Sequence, residues 1–447
     1  MELFGVKPGR RVAIYFLGAI LLGAVLLSLP VASTGEPMEF LDALFTATSA
    51  ICVTGLSVVD VARDLSDFGQ VVLLLLIQLG GLGIMTFASG LLLSIGSSLS
   101  FQHKFALSET LGGSSVRSGS LIKAVLWTTV IIELLGAAAL FFRFRSDLPI
   151  GRALFVSLFH SVSAFCNAGF SLFDGSLEGF RGDTPTLLIF AFLIISGGLG
   201  FIVIREVLTS ASGRKRGLSL HTRLCLSATA ILLVAGTLGF YLAEQEYILG
   251  SRGMGLDLVN SFFQAVTCRT AGFSTVAMTD LTELSLLIAM ILMFIGACPG
   301  STGGGIKATT VAIILLLVYR RFRGRQSVTV FKRTISNDSL IRAVAVILLA
   351  ILVIVVMFSM FTFFEEKPVA HNASHGWFVE NLFEVISAFA TVGLSLGATA
   401  HLHAAGKMLL IILMFIGRVG LLTLAFALAS PTRRGEIVYR EEEVMVG

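Results

Sequence analysis

Long stretches without a charged side chain recur along this sequence, and they constrain its fold more than any other feature. Six of them are long enough to cross a bilayer, because a transmembrane helix needs about 20 consecutive apolar residues. They occupy 12–30, 69–95, 184–204, 224–243, 284–306 and 343–364. Two further stretches, 124–142 and 408–430, contain one charged residue each, Glu133 and Arg418. The sequence therefore predicts eight membrane spans.

Composition supports this interpretation and excludes several classes of protein. Only 13% of the residues are charged, whereas an average soluble domain has about 25%. A net charge of +4 is too small to indicate a nucleic-acid partner. Lys and Arg are concentrated in the termini and loops on one side of the predicted spans, so the positive-inside rule predicts a multi-pass protein of the cell's inner (plasma) membrane with both termini in the cytoplasm.

A shorter apolar segment lies between the two spans of each successive pair. The four segments are 39–51, 152–165, 257–268 and 378–389. As helices they would reach only about 16 to 21 Å, well short of a hydrocarbon core of about 30 Å. We therefore expect each segment to enter the membrane and return on the same side.

Directly after each short segment comes a turn centred on glycine: Gly55, Gly169, Gly272 and Gly393. In all four copies Leu or Phe follows the glycine, Ser comes second, and a Phe lies ten residues upstream. The chain is thus predicted to be an all-α integral membrane protein of four tandem span, pore-helix, span repeats with pseudo-fourfold symmetry around one pore. The predicted repeats and tail are 11–97, 118–212, 219–323, 338–430 and the cytoplasmic tail 431–447.

Four glycine turns at membrane depth can line an ion pathway. Non-helical backbone cannot face lipid, since each unsatisfied amide or carbonyl group would cost several kcal/mol. Glycine adopts backbone angles closed to other residues, and a ring of carbonyl oxygens can replace the hydration shell of an alkali cation. The alternative is four re-entrant packing elements held by close glycine contacts, but packing alone does not require the same turn four times with Ser at the same offset.

These turns are similar to those of the Trk/Ktr/HKT superfamily of potassium transporters, and the chain most resembles its KtrB-type membrane subunits. The resemblance implies potassium selectivity, because glycine stands at all four filter positions, and it implies that filter backbone carbonyls of these glycines bind K+. It further implies a homodimer, a cytosolic ring of nucleotide-binding regulatory subunits, and Na+ as a possible activator. The filter residues by this resemblance are Val53, Thr54, Gly55, Asn167, Ala168, Gly169, Thr270, Ala271, Gly272, Thr391, Val392 and Gly393.

The last span of the third repeat contains a run of residues that a helix does not tolerate. Proline removes a backbone donor, and three successive glycines each destabilise a helix by about 1 kcal/mol, so this span is predicted to break inside the membrane. A phosphate-binding loop is disfavoured because Ile306 separates Gly305 from Lys307. In the resembling family this segment is a gate beneath the filter. The gate residues are Pro299, Gly300, Ser301, Thr302, Gly303, Gly304, Gly305, Lys307 and, on the last span of repeat four, Arg418.

Two buried charges have competing interpretations. Arg418 lies too far from either end of its span for easy snorkelling to an interface, so we expect it to face the gate segment and to repel the permeating cation. Glu133 is interpreted either as a helix-contact residue that is hydrogen-bonded to a neighbour or as a protonatable or ion-pairing site.

The glycine turns and the family resemblance together predict passive, channel-like potassium uptake, and the alternative is a sodium-conducting or sodium/proton-coupled cation transporter of the same fold. An enzyme is not predicted, because the spans contain no paired Asp, no Ser with a His base and no HExxH helix. A non-conducting scaffold would leave the four similar turns unexplained. No cofactor is expected in this chain, and its expected partners are membrane lipid and the regulatory subunit.

Overall fold

The computed structural model describes residues 8–98, 118–213, 217–248, 253–365 and 376–420. This part of the chain is helical apart from turns, loops and a small antiparallel hairpin of β1 (Thr329–Val330) and β2 (Arg333–Thr334). The α-helices are α1 (Pro8–Leu27), α2 (Phe40–Cys52), α3 (Asp67–Ser98), α4 (Ser118–Phe144), α5 (Ile150–Cys166), α6 (Thr184–Leu199), α7 (Phe201–Ala211), α8 (Leu220–Glu244), α9 (Met254–Thr267), α10 (Glu283–Phe294), α11 (Ala308–Phe322), α12 (Asn337–Glu365), α13 (Trp377–Ala390) and α14 (Ala404–Val419).

The long helices agree with five of the predicted spans, since α1, α3, α4, α8 and α12 cover most or all of the corresponding apolar stretches. Judged by length and composition alone, three helices with described side chains can cross a membrane: Lys123–Phe144, Leu220–Glu244 and Asn337–Glu365. The bent pair α6 and α7 would be a fourth. The number eight stays a prediction, and the predicted tail 431–447 and the end of the last predicted span lie outside the described residues.

Two predicted spans are not single helices. Residues 184–204 were expected to form one helix, but α6 and α7 meet at Gly200 with a bend of 102°. Gly200 has φ +85°, a backbone angle that a continuous right-handed helix does not contain. The second interruption separates α10 from α11, where the chain is not helical from 295 to 307. The prediction of a broken last span in this region therefore agrees with the structure, although α10 already ends at Phe294.

The short helices pack between longer ones. Helix α2 packs on α1 and α3, α5 on α4 and α6, and α13 on α12 and α14, whereas α9 packs chiefly on α8. A second set of contacts joins each group to the next: α3 packs on α5, α6 on α9, α10 on α13, and α14 on α2. Because the last contact returns to the first group, the four short helices lie within a closed ring of longer helices. The pseudo-fourfold symmetry itself stays a prediction.

Burial separates a central region from a peripheral one. Every residue of α2 from Phe45 to Cys52 is buried, including three hydroxyl side chains. The long helices instead expose large apolar side chains, such as Trp127, Leu348 and Phe363, which are 67, 62 and 78% exposed. A surface of this kind suits lipid, whereas backbone and polar groups in the centre need partners from the protein. The arrangement places the four glycine turns in the interior.

Candidate functional site

Three of the four short helices end in the same way. The residues that follow α2, α5 and α13 are Val53, Asn167 and Thr391, and all three adopt a left-handed conformation with φ between 50° and 60°. The next backbone amide then bonds back to a carbonyl five residues earlier, at 2.7 to 2.9 Å, as in a Schellman cap. In α9 this bond is made one residue later, from Gly272 to Thr267 at 3.4 Å. The helix end is thus repeated with one variation.

A buried hydroxyl group on each short helix holds the turn that follows. The Ser49 and Ser387 hydroxyl oxygens accept from the amides of Gly55 and Gly393 at 3.0 and 3.1 Å. In the other two copies the hydroxyl group donates to a carbonyl oxygen just beyond the glycine. These bonds join Ser163 to Phe170 at 2.8 Å and Thr267 to Phe273 at 2.6 Å. The helix therefore fixes the direction in which the chain leaves it.

The four glycine turns contact one another in a closed order. A β-carbon on Gly55 would lie 3.1 Å from the Cα of Gly169, and one on Gly169 would lie 3.1 Å from the Cα of Gly272. A β-carbon on Gly272 would overlap the carbonyl oxygen of Val392, and one on Gly393 would lie 2.9 Å from the Cα of Gly55. All four glycines have φ between 71° and 98°. The sites therefore require glycine twice over, for the backbone angle and for the close approach.

Glycines in the longer helices support the turns from behind. A methyl group on Gly80 of α3 would overlap the carbonyl oxygen of Ile51, and methyl groups on Gly197 and Gly417 would overlap those of Phe165 and Phe389. Each of the three carbonyl groups lies four residues before a turn glycine. A small residue thus lets a helix backbone approach the end of the neighbouring short helix.

The non-helical segment 295–307 lies against these turns. Methyl groups on Gly303 and Gly304 would overlap the hydroxyl groups of Thr270 and Thr391, two residues of the predicted filter. The Thr302 hydroxyl group donates to the carbonyl oxygen of Phe165 at 3.2 Å. The lack of room beside the turns thus explains Gly303 and Gly304, and a φ of 61° explains Gly305. Residues of the predicted gate and filter are brought into direct contact.

Hydrogen bonds attach the same segment to the break at Gly200. The Cys298 amide donates to the carbonyl oxygen of Gly198 at 3.0 Å, and the Phe201 amide donates to that of Gly300 at 3.4 Å. A β-carbon on Gly200 would lie 2.8 Å from the carbonyl oxygen of Pro299. The two interrupted helices therefore complete each other's backbone hydrogen bonds. The Gly197, Gly198 and Gly200 cluster was the only signal in the sequence for this second break.

Two basic side chains bond to carbonyl groups of this segment, one from α14 and one from the segment itself. Arg418 is buried, and its guanidinium group donates to the carbonyl oxygen of Thr302 and, at 2.8 Å, to that of Gly80. The Lys307 ammonium group folds back onto the carbonyl oxygens of Gly303 and Gly304 at 2.7 and 3.3 Å. Arg418 thus joins α14, α3 and the segment 295–307, whereas its role in a gate stays a prediction.

Glu133 is a helix-contact residue in this structure. The carboxylate of Glu133, on α4, accepts from the Gln78 amide nitrogen of α3 at 3.1 Å, and the backbone carbonyl group of Glu133 accepts from the Ser161 hydroxyl group at 2.6 Å. The side chain is 5% exposed. These bonds connect α4 to α3 and α5. They agree with the interpretation of Glu133 as a helix-contact residue that is hydrogen-bonded to a neighbour.

A cation at this site would depend on backbone and hydroxyl oxygens. Among the described residues, no three His, Cys, Asp or Glu side chains group together as metal ligands. The five cysteines are all buried and free. Oxygen ligands without net charge suit a weakly held monovalent ion that must also leave again.

Comparison with known proteins places this architecture in the class of membrane cation transporters. Residues 19–435 match the TrkH family, which is described as cation transport proteins. The Ktr system potassium uptake protein B of Bacillus subtilis is 39% identical, over 98% of this chain and 97% of its own length. Its counterpart in Vibrio alginolyticus is 41% identical, over 99% and 95%. The chain belongs to the TrkH family.

Two further relatives extend the comparison. The potassium/sodium uptake protein NtpJ of Enterococcus hirae is 37% identical, over 99% of this chain and 98% of its own length. The crystal structure of the potassium transporter TrkH from Vibrio parahaemolyticus superposes with a TM-score of 0.75 at 20% identity, and covers 96% of this chain and 86% of that one. This likeness confirms a helical membrane-transporter fold. All of these relatives are named as transport proteins rather than enzymes.

Proposed function

We propose that this protein takes up potassium across the cell membrane by passive conduction down the ion's electrochemical gradient. The four turns at Gly55, Gly169, Gly272 and Gly393 form the selectivity filter, and their backbone carbonyl oxygens replace the hydration shell of K+. The observation that carries the proposal is the closed order of contacts among these turns. Four isolated packing elements would not need to meet one another in a ring.

The second part of the proposal is a gate formed by residues 298–307 and Arg418. The segment contacts the turns of three repeats through Thr302, Gly303 and Gly304, and Arg418 connects it to Gly80 in the first. A fixed positive charge beside the pathway opposes a permeating cation, because little water is present to screen it. In the closed state the loop and the guanidinium group would therefore block the cytoplasmic half of the pore.

Sodium conduction or sodium/proton-coupled transport is the alternative, and NtpJ, whose name includes both ions, gives it specific support. Both functions use the same filter, so only flux distinguishes them. The substitution Gly55→Ser separates them, because a side chain there would press on Ala168 and Gly169. We expect this variant to lose preference for K+ over Na+. A protein that already conducts Na+ equally well would show no such change.

The partners and the orientation also belong to the proposal. Both termini lie in the cytoplasm, the protein forms a homodimer, and a cytosolic ring of nucleotide-binding subunits controls the gate, with Na+ as a possible activator. Two of the relatives are components of named Ktr systems, which supports an assembly of several proteins. Nucleotide control would come from the separate subunit.

The direct test is rescue of a potassium-uptake-deficient cell on low-potassium medium. The intact chain is expressed with its regulatory subunit, and 86Rb+ or K+ uptake into proteoliposomes is measured in parallel. We expect growth and uptake with the intact chain and neither with empty vector. Correctly folded protein in the membrane that gives no uptake would refute the proposed function.

A further inference from the structure

In the second and fourth copies, a side chain of the short helix anchors the segment that follows the filter turn. In the first and third copies, the matching side chain does not. The decisive residue lies nine positions before the filter glycine, on the short helix. These positions hold Thr46 on α2, His160 on α5, Phe263 on α9 and Glu384 on α13. All four side chains are fully buried. Two of them are acceptors that reach the segment after the turn.

His160 anchors the second copy. The Nε2 atom of its ring lies 3.1 Å from the Ser171 hydroxyl oxygen and accepts from the Leu172 amide at 3.2 Å. Because an amide can only donate, Nε2 carries no hydrogen and the ring is the neutral tautomer with hydrogen on Nδ1. That Nδ1–H then donates to the Val156 carbonyl oxygen at 2.8 Å. The ring thus joins the helix to the second and third residues after Gly169.

Aromatic side chains enclose this imidazole. Phe173 stacks on it with ring centroids 4.6 Å apart, and Phe144, Phe159 and Phe190 meet it edge-on at 5.8 to 6.2 Å. A ring packed on all sides cannot turn away from its partners without leaving a cavity, which is costly in a close-packed interior. The position of the Ser171 and Leu172 segment is therefore tied to the rigid helix α5.

Glu384 makes the same connections in the fourth copy. Its Oε1 atom accepts from the Ser395 hydroxyl group and, at 3.2 Å, from the Leu396 amide, while Oε2 accepts from the Thr399 hydroxyl group at 2.7 Å. Ser395 and Leu396 are again the second and third residues after the filter glycine. A third bond is also shared, since the next amide donates to the serine oxygen in both copies, at 3.0 and 2.9 Å.

The first and third copies have no such anchor at the matching position. Phe263 has no polar atom to offer. The hydroxyl groups of Ser57 and Ser274 donate to carbonyl oxygens of their own loops, two residues later, at Val59 and Val276. The second residues after Gly55 and Gly272 are thus not held from the matching helix position; Ser57 bonds within its own loop, and Ser274 also bonds to Ser176 and Leu177 of the second copy.

We propose that His160 and Glu384 are positioning residues that fix the outer edge of the filter along one diagonal and thereby set its discrimination between K+ and Na+. The copies meet in the order first, second, third, fourth, first, so the two anchored turns face each other across the ring. The inference rests on the proposed function. Filter carbonyl groups precede the anchored residues by two or three positions, so loosening the anchor changes the oxygen spacing that a dehydrated cation meets.

The test compares K+ and Na+ uptake by proteoliposomes of the full chain and its variants. His160→Phe removes the acceptor and introduces the residue that the third copy has at this position. Glu384→Leu removes the acceptor in the fourth copy. We expect the K+/Na+ uptake ratio to fall about fivefold in each variant, which corresponds to the loss of about one hydrogen bond. His160→Gln and Glu384→Gln keep an acceptor oxygen and should retain the ratio within about twofold.

Controls separate this inference from simple structural damage. Ser171→Ala and Ser395→Ala remove one donor each without changing the core, so they should lower the ratio in the same direction even where His160→Phe or Glu384→Leu fails to fold. Thr46→Val alters the matching position of a copy without this anchor and should leave the ratio unchanged.

The outcomes remain distinguishable. The anchoring role would be overturned if the intact protein prefers K+ over Na+ and if the Ser→Ala variants and every anchor variant that folds keep its K+/Na+ uptake ratio. An intact protein without K+ uptake would instead refute the proposed function.

Discussion

The four glycine turns and the level directly beneath them differ in how far the four copies agree. At the turns, a left-handed cap follows the helix in three copies, all four glycines have a positive φ, and each turn closely approaches its neighbour. Beneath them, α3 continues as a helix, α6 bends into α7 at Gly200, α10 gives way to a loop, and α14 carries Arg418. Similar parts suit the filter that we propose, because it would coordinate one ion from all sides, whereas the gate that we propose can be built from unequal parts.

The largest effect is expected when one of the four turn glycines is replaced. In Gly393→Ala, the new methyl group would lie 2.9 Å from the Cα of Gly55 at a φ of 94°. The backbone penalty of about 1 to 2 kcal/mol adds to the overlap, so K+ uptake should fall about 100-fold or more. Gly18→Ala is the control, because nothing lies within 4 Å of its new methyl group. Equal uptake by both variants would contradict a close-packed filter.

The second largest effect is expected when the loop between α10 and α11 is shortened, since among the described residues no other copy has a loop at this level. Deletion of residues 303–305 takes away the glycines that lie against Thr270 and Thr391, and K+ flux into proteoliposomes should rise about tenfold as a barrier of about 1.4 kcal/mol is removed. Deletion of 324–326, in the exposed connection after α11, is the length-matched control. Unchanged or lost flux in a folded loop-deletion protein would show that the loop is not a gate.

A smaller effect is expected for the charge that holds the loop. Arg418→Gln removes the positive charge and at least one of the bonds to the Thr302 and Gly80 carbonyl oxygens. We expect about a fivefold rise in K+ flux, since each bond is worth about 1 kcal/mol. Lys407→Gln on the same helix removes a cation that pairs with Asp42 at 2.5 Å and should leave the flux unchanged. A fall in flux for Arg418→Gln alone would instead indicate that the arginine stabilises the open state.

The smallest effect tests whether the second break belongs to the gate. In Gly200→Ala, the methyl group would lie 2.8 Å from the Pro299 carbonyl oxygen, whereas in Gly213→Ala it would meet nothing within 4 Å at a similar φ. The pair separates backbone strain from contact with the loop. We expect Gly200→Ala alone to change K+ flux, by about twofold. If the two variants have the same K+ flux, the bend at Gly200 has no part in the proposed gating.

Much of the fold could be predicted because membrane burial imposes strong rules on sequence. Uncharged stretches of span length predict helices, and the run of Pro299 with Gly303, Gly304 and Gly305 predicts the break that the structure contains between α10 and α11. The family prediction is confirmed by relatives that cover nearly the whole chain. The bend at Gly200 was missed, because an apolar stretch looks the same whether its helix continues or turns.

The anchors at His160 and Glu384 were also missed, although their offset from the filter glycine is visible in the sequence once the turns are aligned. A single buried His or Glu shows no periodicity, and its role depends on which amide it reaches. The two residues differ in chemistry but accept the same bonds, so comparison of residue types alone does not connect them. The connection is visible only in the distances from these side chains to the backbone amides of Leu172 and Leu396.

The sequence by itself determined that this chain is a helical membrane protein with glycine turns and one broken span, because charge-free length and a run of proline and glycines are local properties. The tertiary structure decided which parts meet: that Gly393 closes on Gly55, that residues 303 and 304 lie against Thr270 and Thr391, and that Arg418 reaches Gly80. These contacts join residues hundreds of positions apart. Their geometry follows from the packing of whole helices, which no local pattern in the sequence encodes.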